Sequence, residues 1–176
     1  MSFYFDHNAT TPLSVGARKT WLETAEKFWH NPSSLYPEAG AAARRLEDER
    51  ENLAQLLGVD DHEDSGIIFT SGATEANNAT IAHFAHANPS KYCVISSIEH
   101  PSVEAPANRH FSNRVLKVPV SPDGTVSLPD LEEILAKGNI CIVSIMAANN
   151  ETGVIQPCPE VSSLCRKYNV LFHCDA

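Results

Sequence analysis

From residue 92 onward the chain alternates short apolar runs with stretches of helical periodicity, and this alternation limits its possible folds more than any other feature. The runs cover residues 92–95, Val115–Val118, 140–146 and 170–174. They have strand length, and they are apolar on consecutive positions rather than on alternate ones. Pro101–Phe111, Leu128–Ala136 and 159–168 lie between or beside them and read as helices; Pro101 opens the first and Gly138 closes the second. Strands buried on both faces and separated by helices form a mainly parallel sheet covered on two sides. The expected fold class is therefore α/β, with helices on both faces of the sheet.

The remaining segments fit that plan. Residues 1–12 read as an extended arm, 13–29 as a helix, and His30 to Ser34 as a loop in which Pro32 disfavours helix at Asn31. Residues 38–57 carry many good helix formers and end at Gly58. A strand is expected at 67–69, a helix at 73–86, and a turn at Pro122, Asp123 and Gly124. No repeat or linker interrupts the chain, so 1–176 is read as one domain: an arm at 1–12, a helical segment at 13–57 and an α/β core at 58–176. The sequence stops at Asp175 and Ala176, just after a strand of the buried type, and it is read as truncated there.

Composition narrows the partners. With 43% apolar and 20% charged residues the chain is an ordinary globular sequence. Its formal net charge of -9 repels phosphate backbones and anionic lipid, so neither a nucleic-acid nor a membrane partner is expected. No apolar run is long enough to span a bilayer, and the first residues do not form a secretory signal, which points to the cytoplasm. The five cysteines, Cys93, Cys141, Cys158, Cys165 and Cys174, contain no CxxC pair. They read as small buried hydrophobes in a reducing compartment, with a reactive or metal-binding role as the competing reading. His83 and His86 share a helix face without further ligands at suitable spacing, so no metal site is expected.

In a parallel α/β sheet, ligands bind beyond the carboxyl ends of the strands. Gly72, Ala73 and Thr74 follow the first strand and open a helix, where free N–H groups and a hydroxyl suit a phosphate monoester; simple capping is the competing reading. His100 follows the next strand and offers a flat ring and a titratable nitrogen, or is only a solvated loop residue. Asn149 and Asn150 follow the strand at 140–146, as amide donors or as turn formers. Asp175 ends the last strand, as the partner of a protonated ring nitrogen or as a structural carboxylate. Together the four positions supply a phosphate cradle, a stacking ring, an amide and an anion. That set suits a flat, phosphorylated, cationic heterocycle, and pyridoxal 5'-phosphate (PLP) has those features.

The sequence resembles the cysteine desulfurases, within the class V aminotransferase-like group of fold-type I PLP enzymes. The resemblance runs along essentially the whole chain. It is carried by Phe5 to Pro12, Asn31 to Ser34, Phe69 to Asn78, Glu99-His100, Val143 to Met146, Asn149 to Pro157 and His173 to Ala176. It implies that the chain is the N-terminal part of the PLP-binding domain, with the rest of the enzyme absent. It further implies that Ala73 and Thr74 bind the cofactor phosphate, His100 stacks on the ring and shuttles protons, Asn150 bonds the phenolic oxygen and Asp175 pairs with the ring nitrogen. Asn8, Ala9 and Thr10 would lie near the substrate pocket. The implied reaction takes sulfur from L-cysteine, leaving L-alanine and an enzyme persulfide for iron–sulfur cluster or thio-cofactor synthesis. A sulfur-accepting or scaffold protein and a homodimer come with it.

A selenocysteine lyase or another class V enzyme is the nearest alternative, and a non-catalytic scaffold is the alternative from another class. Tyr36 stands where the family commonly has histidine, and Cys174 where an aliphatic residue is usual. None of the five cysteines matches the family's catalytic one, and its cofactor-bearing lysine lies beyond residue 176. The 176-residue chain alone is therefore expected not to turn over. Incubation with PLP and L-cysteine should give no sustained release of alanine and sulfide; continuing release would contradict this.

Overall fold

A computed structural model describes residues 3, 4, 7, 10–59 and 66–176. The chain divides into two compact units, Met1–Phe69 and Thr70–Ala176.

The first unit carries two helices. Helix α1 spans Val15–Lys27 and begins where the Ser14 hydroxyl accepts the Ala17 N–H at 3.1 Å. Helix α2 spans Pro37–Leu57, with proline in its first turn and Gly58 closing it at φ 65°. Ala39 and Ala42 are its buried positions. Residues 67–69, expected to be a strand, form none. A strand needs a neighbouring ladder as well as β-prone residues. No described residue pairs with this segment in a sheet; instead the Arg50 guanidinium donates to the Ile67 carbonyl and lies over the Phe69 ring at 4.9 Å.

The second unit is the α/β body. Its elements run α3 (Ala73–Ala87), β1 (Tyr92–Ser96), α4 (Pro101–Phe111), β2 (Val115–Val118), α5 (Leu128–Ala136), β3 (Ile140–Ser144), α6 (Cys158–Lys167) and β4 (Leu171–His173). All four strands are parallel, in the order β2-β1-β3-β4. Strand side chains alternate between the two faces. Val94 and Val143 pack with Leu131, Leu135, Val161 and Cys165 of α5 and α6. Cys93, Ile95 and Ile142 pack with Ile81, Val103, Ala107 and Phe111 of α3 and α4. The register between β1 and β3 slips after Tyr92, where Cys141 is the extra residue, and the Cys141 thiol fills the gap by donating to the Tyr92 carbonyl at 3.4 Å.

The strand order fixes where a ligand can enter. From β1 the chain crosses by α4 to β2 on one side; β3 and β4 lie on the other side of β1. The direction of winding reverses between β1 and β3, and that reversal opens a crevice beyond their carboxyl ends. Core packing holds the crevice walls in place. Phe111, with no exposed surface, anchors α4 under the sheet. Phe111→Ala should cost about 3–5 kcal/mol in urea denaturation, whereas Ile155→Ala, at a residue 77% exposed, should cost less than about 1 kcal/mol. Equal losses for both would contradict this division of core and surface.

Candidate active site

Three loops and one helix N-terminus meet around the β1–β3 crevice. The loop after β1 carries Glu99 and His100, and His100 is also the N-cap of α4. Its Nδ1 accepts the Ser102 N–H at 3.1 Å and lies 2.7 Å from the Ser102 hydroxyl. That hydroxyl accepts from the Asn77 side-chain amide at 3.0 Å, so its own proton is free to point at Nδ1. With Nδ1 accepting, the neutral ring carries its proton on Nε2. Asn77 and Ser102 are buried, and Asn77 belongs to α3, so this chain of bonds ties α3 to His100.

At the start of α3 the N-cap Gly72 makes no side-chain capping bond. The Glu75 carboxylate folds back onto the Ser71 N–H and hydroxyl, and the Ser71 hydroxyl holds it below the usual carboxylate range. The N–H groups of Ala73 and Thr74 begin the helix beside open space, because a Cβ at Gly72 would meet nothing within 4 Å. Thr74 and His100 line one cavity of about 370 Å³, together with Asn78 and Arg109.

His100 also borders a second cavity, of about 490 Å³, lined by Glu99, Gly124, Asn149, Asn150 and Thr152. The paired amides divide their work. Asn149 is buried, and its Oδ1 accepts the N–H groups of Glu151 and Thr152 and the Thr152 hydroxyl while its amide donates to the Ile98 carbonyl. Asn150 is exposed on the cavity wall. Gly124 completes the wall at φ 84°, a conformation that favours glycine, and a Cβ there would press on Val154 at 3.1 Å. The buried Gln156 side chain accepts the Val126 N–H and donates to the Gly124 carbonyl, which binds the two loops together.

Glu99 is the functional residue that the sequence named only as part of a motif. It is buried; its Oε1 accepts the Ser96 hydroxyl and the Met146 N–H at 3.0 Å, which locks the exit of β1 to the exit of β3. Its Oε2 is buried with no partner among the described residues. Burial, with the Asp175 carboxylate as a smaller contributor, pushes Glu99 up to about 7. Asp175 is half-buried just after β4, and its carbonyl accepts the Ala147 N–H at 2.8 Å, which fixes it beside the β3 exit. The adjacent His173 is pushed down by burial, against the pull of Asp175, and its Nδ1 lies 2.8 Å from the Ser144 hydroxyl.

Thr74 and His100 thus line the first cavity and His100 and Asn150 the second, whereas Ala73, the first residue of α3, and Asp175, tied to the β3 exit through the Ala147 N–H, line neither. No lysine lines either cavity among the described residues. Thr10 is exposed and its carbonyl accepts the Tyr4 hydroxyl at 3.3 Å in the first unit; Asn8 and Ala9 lie outside the described residues. As a donor set, the α3 N-terminus with the Thr74 hydroxyl suits a phosphate, and the His100 ring suits a flat heterocycle. The Asp175 carboxylate favours a cationic or proton-donating ring atom, and the Glu99 carboxyl, raised by burial, adds less negative charge beside it. The residues therefore fit PLP.

The family model for class-V aminotransferases (Aminotransferase class-V) matches residues 3–176. A NifS/IcsS protein homolog of Lactobacillus delbrueckii subsp. bulgaricus is 41% identical across 98% of the chain and 45% of its own length. The cysteine desulfurase IscS of Dictyoglomus turgidum is 36% identical across 98% of the chain and 44% of its own length. Among solved structures, a NifS-like protein from Rickettsia africae superposes with a TM-score of 0.85 at 33% identity, covering 96% of this chain and 46% of that one. The chain thus spans about half the length of the curated relatives it matches. No helix of the described residues is long and apolar enough to cross a membrane.

The raised Glu99 carboxyl makes a stability prediction. The folded chain holds this proton between the ordinary carboxylate value of 4.5 and about 7, where the unfolded chain has released it. Stability from this group is complete below that window and falls as pH rises through it, by about 3 kcal/mol in all. Glu99→Gln keeps an oxygen for Ser96 and Met146 and should flatten that part of the profile in urea denaturation between about pH 5 and about pH 8. A profile for Glu99→Gln that still falls as steeply as that of the unmutated protein would place the titration elsewhere.

Proposed function

The chain belongs to the class-V aminotransferase family, and on that premise we propose that it supplies the PLP grip of a cysteine desulfurase. The single observation that carries this reading is the position of His100, which borders the cavity that contains Thr74 and also the cavity that contains Asn150. One flat ligand lying against His100 then has a helix N-terminus at one end and amide and carboxylate groups at the other.

In this reading the N–H groups of Ala73 and Thr74 and the Thr74 hydroxyl hold the phosphate. The His100 ring lies against the heterocycle, with Ser102 fixing its tautomer so that Nε2 carries the exchangeable proton. Asn150 donates to the phenolic oxygen. The Asp175 carboxylate accepts the ring N–H, and because burial raises the neighbouring Glu99 carboxyl, Asp175 meets less opposing negative charge. Bound in this way, PLP supplies the electron sink that allows sulfur to be removed from L-cysteine. The reading also brings a sulfur-accepting protein and a second copy of the chain as partners.

A spectroscopic titration tests it. Added PLP should change its absorbance on binding the protein, and Asp175→Ala should weaken that binding by about tenfold or more, since a hydrogen bond to a charged group is lost. Absence of binding, or equal affinity in Asp175→Ala, would overturn the assignment.

A further inference from the structure

The cysteines divide into two groups. Cys93, Cys141 and Cys165 are buried in the core. Cys93 and Cys165 have 0% and 1% of their surface exposed and Cys141 has 7%, so the packed core keeps oxidants from all three thiols. Cys158 and Cys174 are different: one is partly exposed, the other exposed, and their sulfurs lie 3.8 Å apart.

Both sulfurs are carried on backbone tied to the same short stretch after β3. Cys158 is the first residue of α6, and its thiol also faces the Met146 carbonyl at 3.8 Å. Cys174 follows β4, between His173, whose carbonyl accepts the Ile145 N–H at 3.1 Å, and Asp175, whose carbonyl accepts the Ala147 N–H at 2.8 Å. Residues 145–147 therefore hold both cysteines to one place. From 3.8 Å, a disulfide of about 2.05 Å needs the sulfurs to approach by roughly 1.7 Å, within reach of side-chain rotation.

We propose that Cys158 and Cys174 form a reversible disulfide that ties the start of α6 to the residue preceding Asp175. The oxidant class is a small-molecule disulfide. The Cys158 thiolate attacks one sulfur of that disulfide and releases one thiol; the Cys174 thiolate then displaces the second thiol from Cys158. One S–S bond is broken and one is formed. The two electrons lost by the cysteines, with their two protons, leave in the two released thiols. Cys158 attacks first, because desolvation, Cys158 and the carboxylates of Glu99 and Asp175 hold the Cys174 thiol up at about 12. The proposal concerns the thiols alone and does not depend on the PLP reading.

The test is to incubate the purified protein with oxidised glutathione, block free thiols with an alkylating reagent, and digest it. Cleavage after Glu151, Glu160 and Lys167 puts Cys158 and Cys174 on separate peptides. The expected product is a cross-linked pair of those two peptides, about 2 Da lighter than their sum, which dithiothreitol separates. Thiol titration of the unfolded protein should fall from five cysteines to three. Cys158→Ser and Cys174→Ser should each abolish the cross-link. Glutathione retained on either cysteine without a cross-link, or a cross-link to Cys141 or Cys165, would overturn the proposal, and the mapping of the unmutated protein decides this even if a variant fails to fold. PLP titration of the reduced protein is scored separately, so failure of either idea leaves the other standing.

Discussion

The buried carboxylate of Glu99 joins the two strands on which the site depends. One of its oxygens accepts from Ser96 at the end of β1 and from the Met146 N–H just beyond β3. These are the two strands between which the direction of winding reverses, so this bond spans the crevice that the fold itself creates. A buried carboxylate with one unpartnered oxygen is costly unless it is protonated or meets a ligand. The protein tolerates that cost at the point where Asp175 also arrives, and the shift in Glu99 follows from the same burial.

A second chain of contacts runs sideways from the same loop. Asn77 on α3, Ser102 on α4 and His100 at its N-cap form one bonded series, so the helix that carries Thr74 is aligned to the ring that borders both cavities. The helices are in turn held by the sheet face that buries Ile81, Val103 and Phe111. Packing therefore acts on the site through a few polar bonds, and displacing α3 against α4 would separate Thr74 from His100.

The architecture was largely legible in the sequence, because consecutive apolar runs and proline or glycine punctuation report burial and chain direction locally. Pro101–Phe111, Val115–Val118 and Leu128–Ala136 fall within the limits their composition implies. Residues 67–69 do not, since a strand is a property of two segments and the apolar pattern of one cannot supply the other. At the site, residue types past expected strand ends pointed to Thr74, His100, the Asn149–Asn150 pair and Asp175. Their supports were hidden: nothing local marks Asn77 and Ser102 as partners 25 residues apart, or Glu99 as the bridge to Met146, 47 residues on. The division of labour between Asn149 and Asn150 was equally invisible, since two identical side chains differ only in which one the turn consumes. Cys174 reads as a buried strand residue from its apolar neighbours, yet β4 ends at His173 and the thiol is exposed beside Cys158.

Separate loops of one sheet edge should converge on a single coenzyme. A crystal structure of the protein grown with PLP tests this most directly. The expected density has its phosphate at the first turn of α3 beside Thr74, its ring against His100, and its nitrogen edge toward Asp175. Coenzyme bound in the groove between α5 and α6, or anywhere apart from His100, would contradict it.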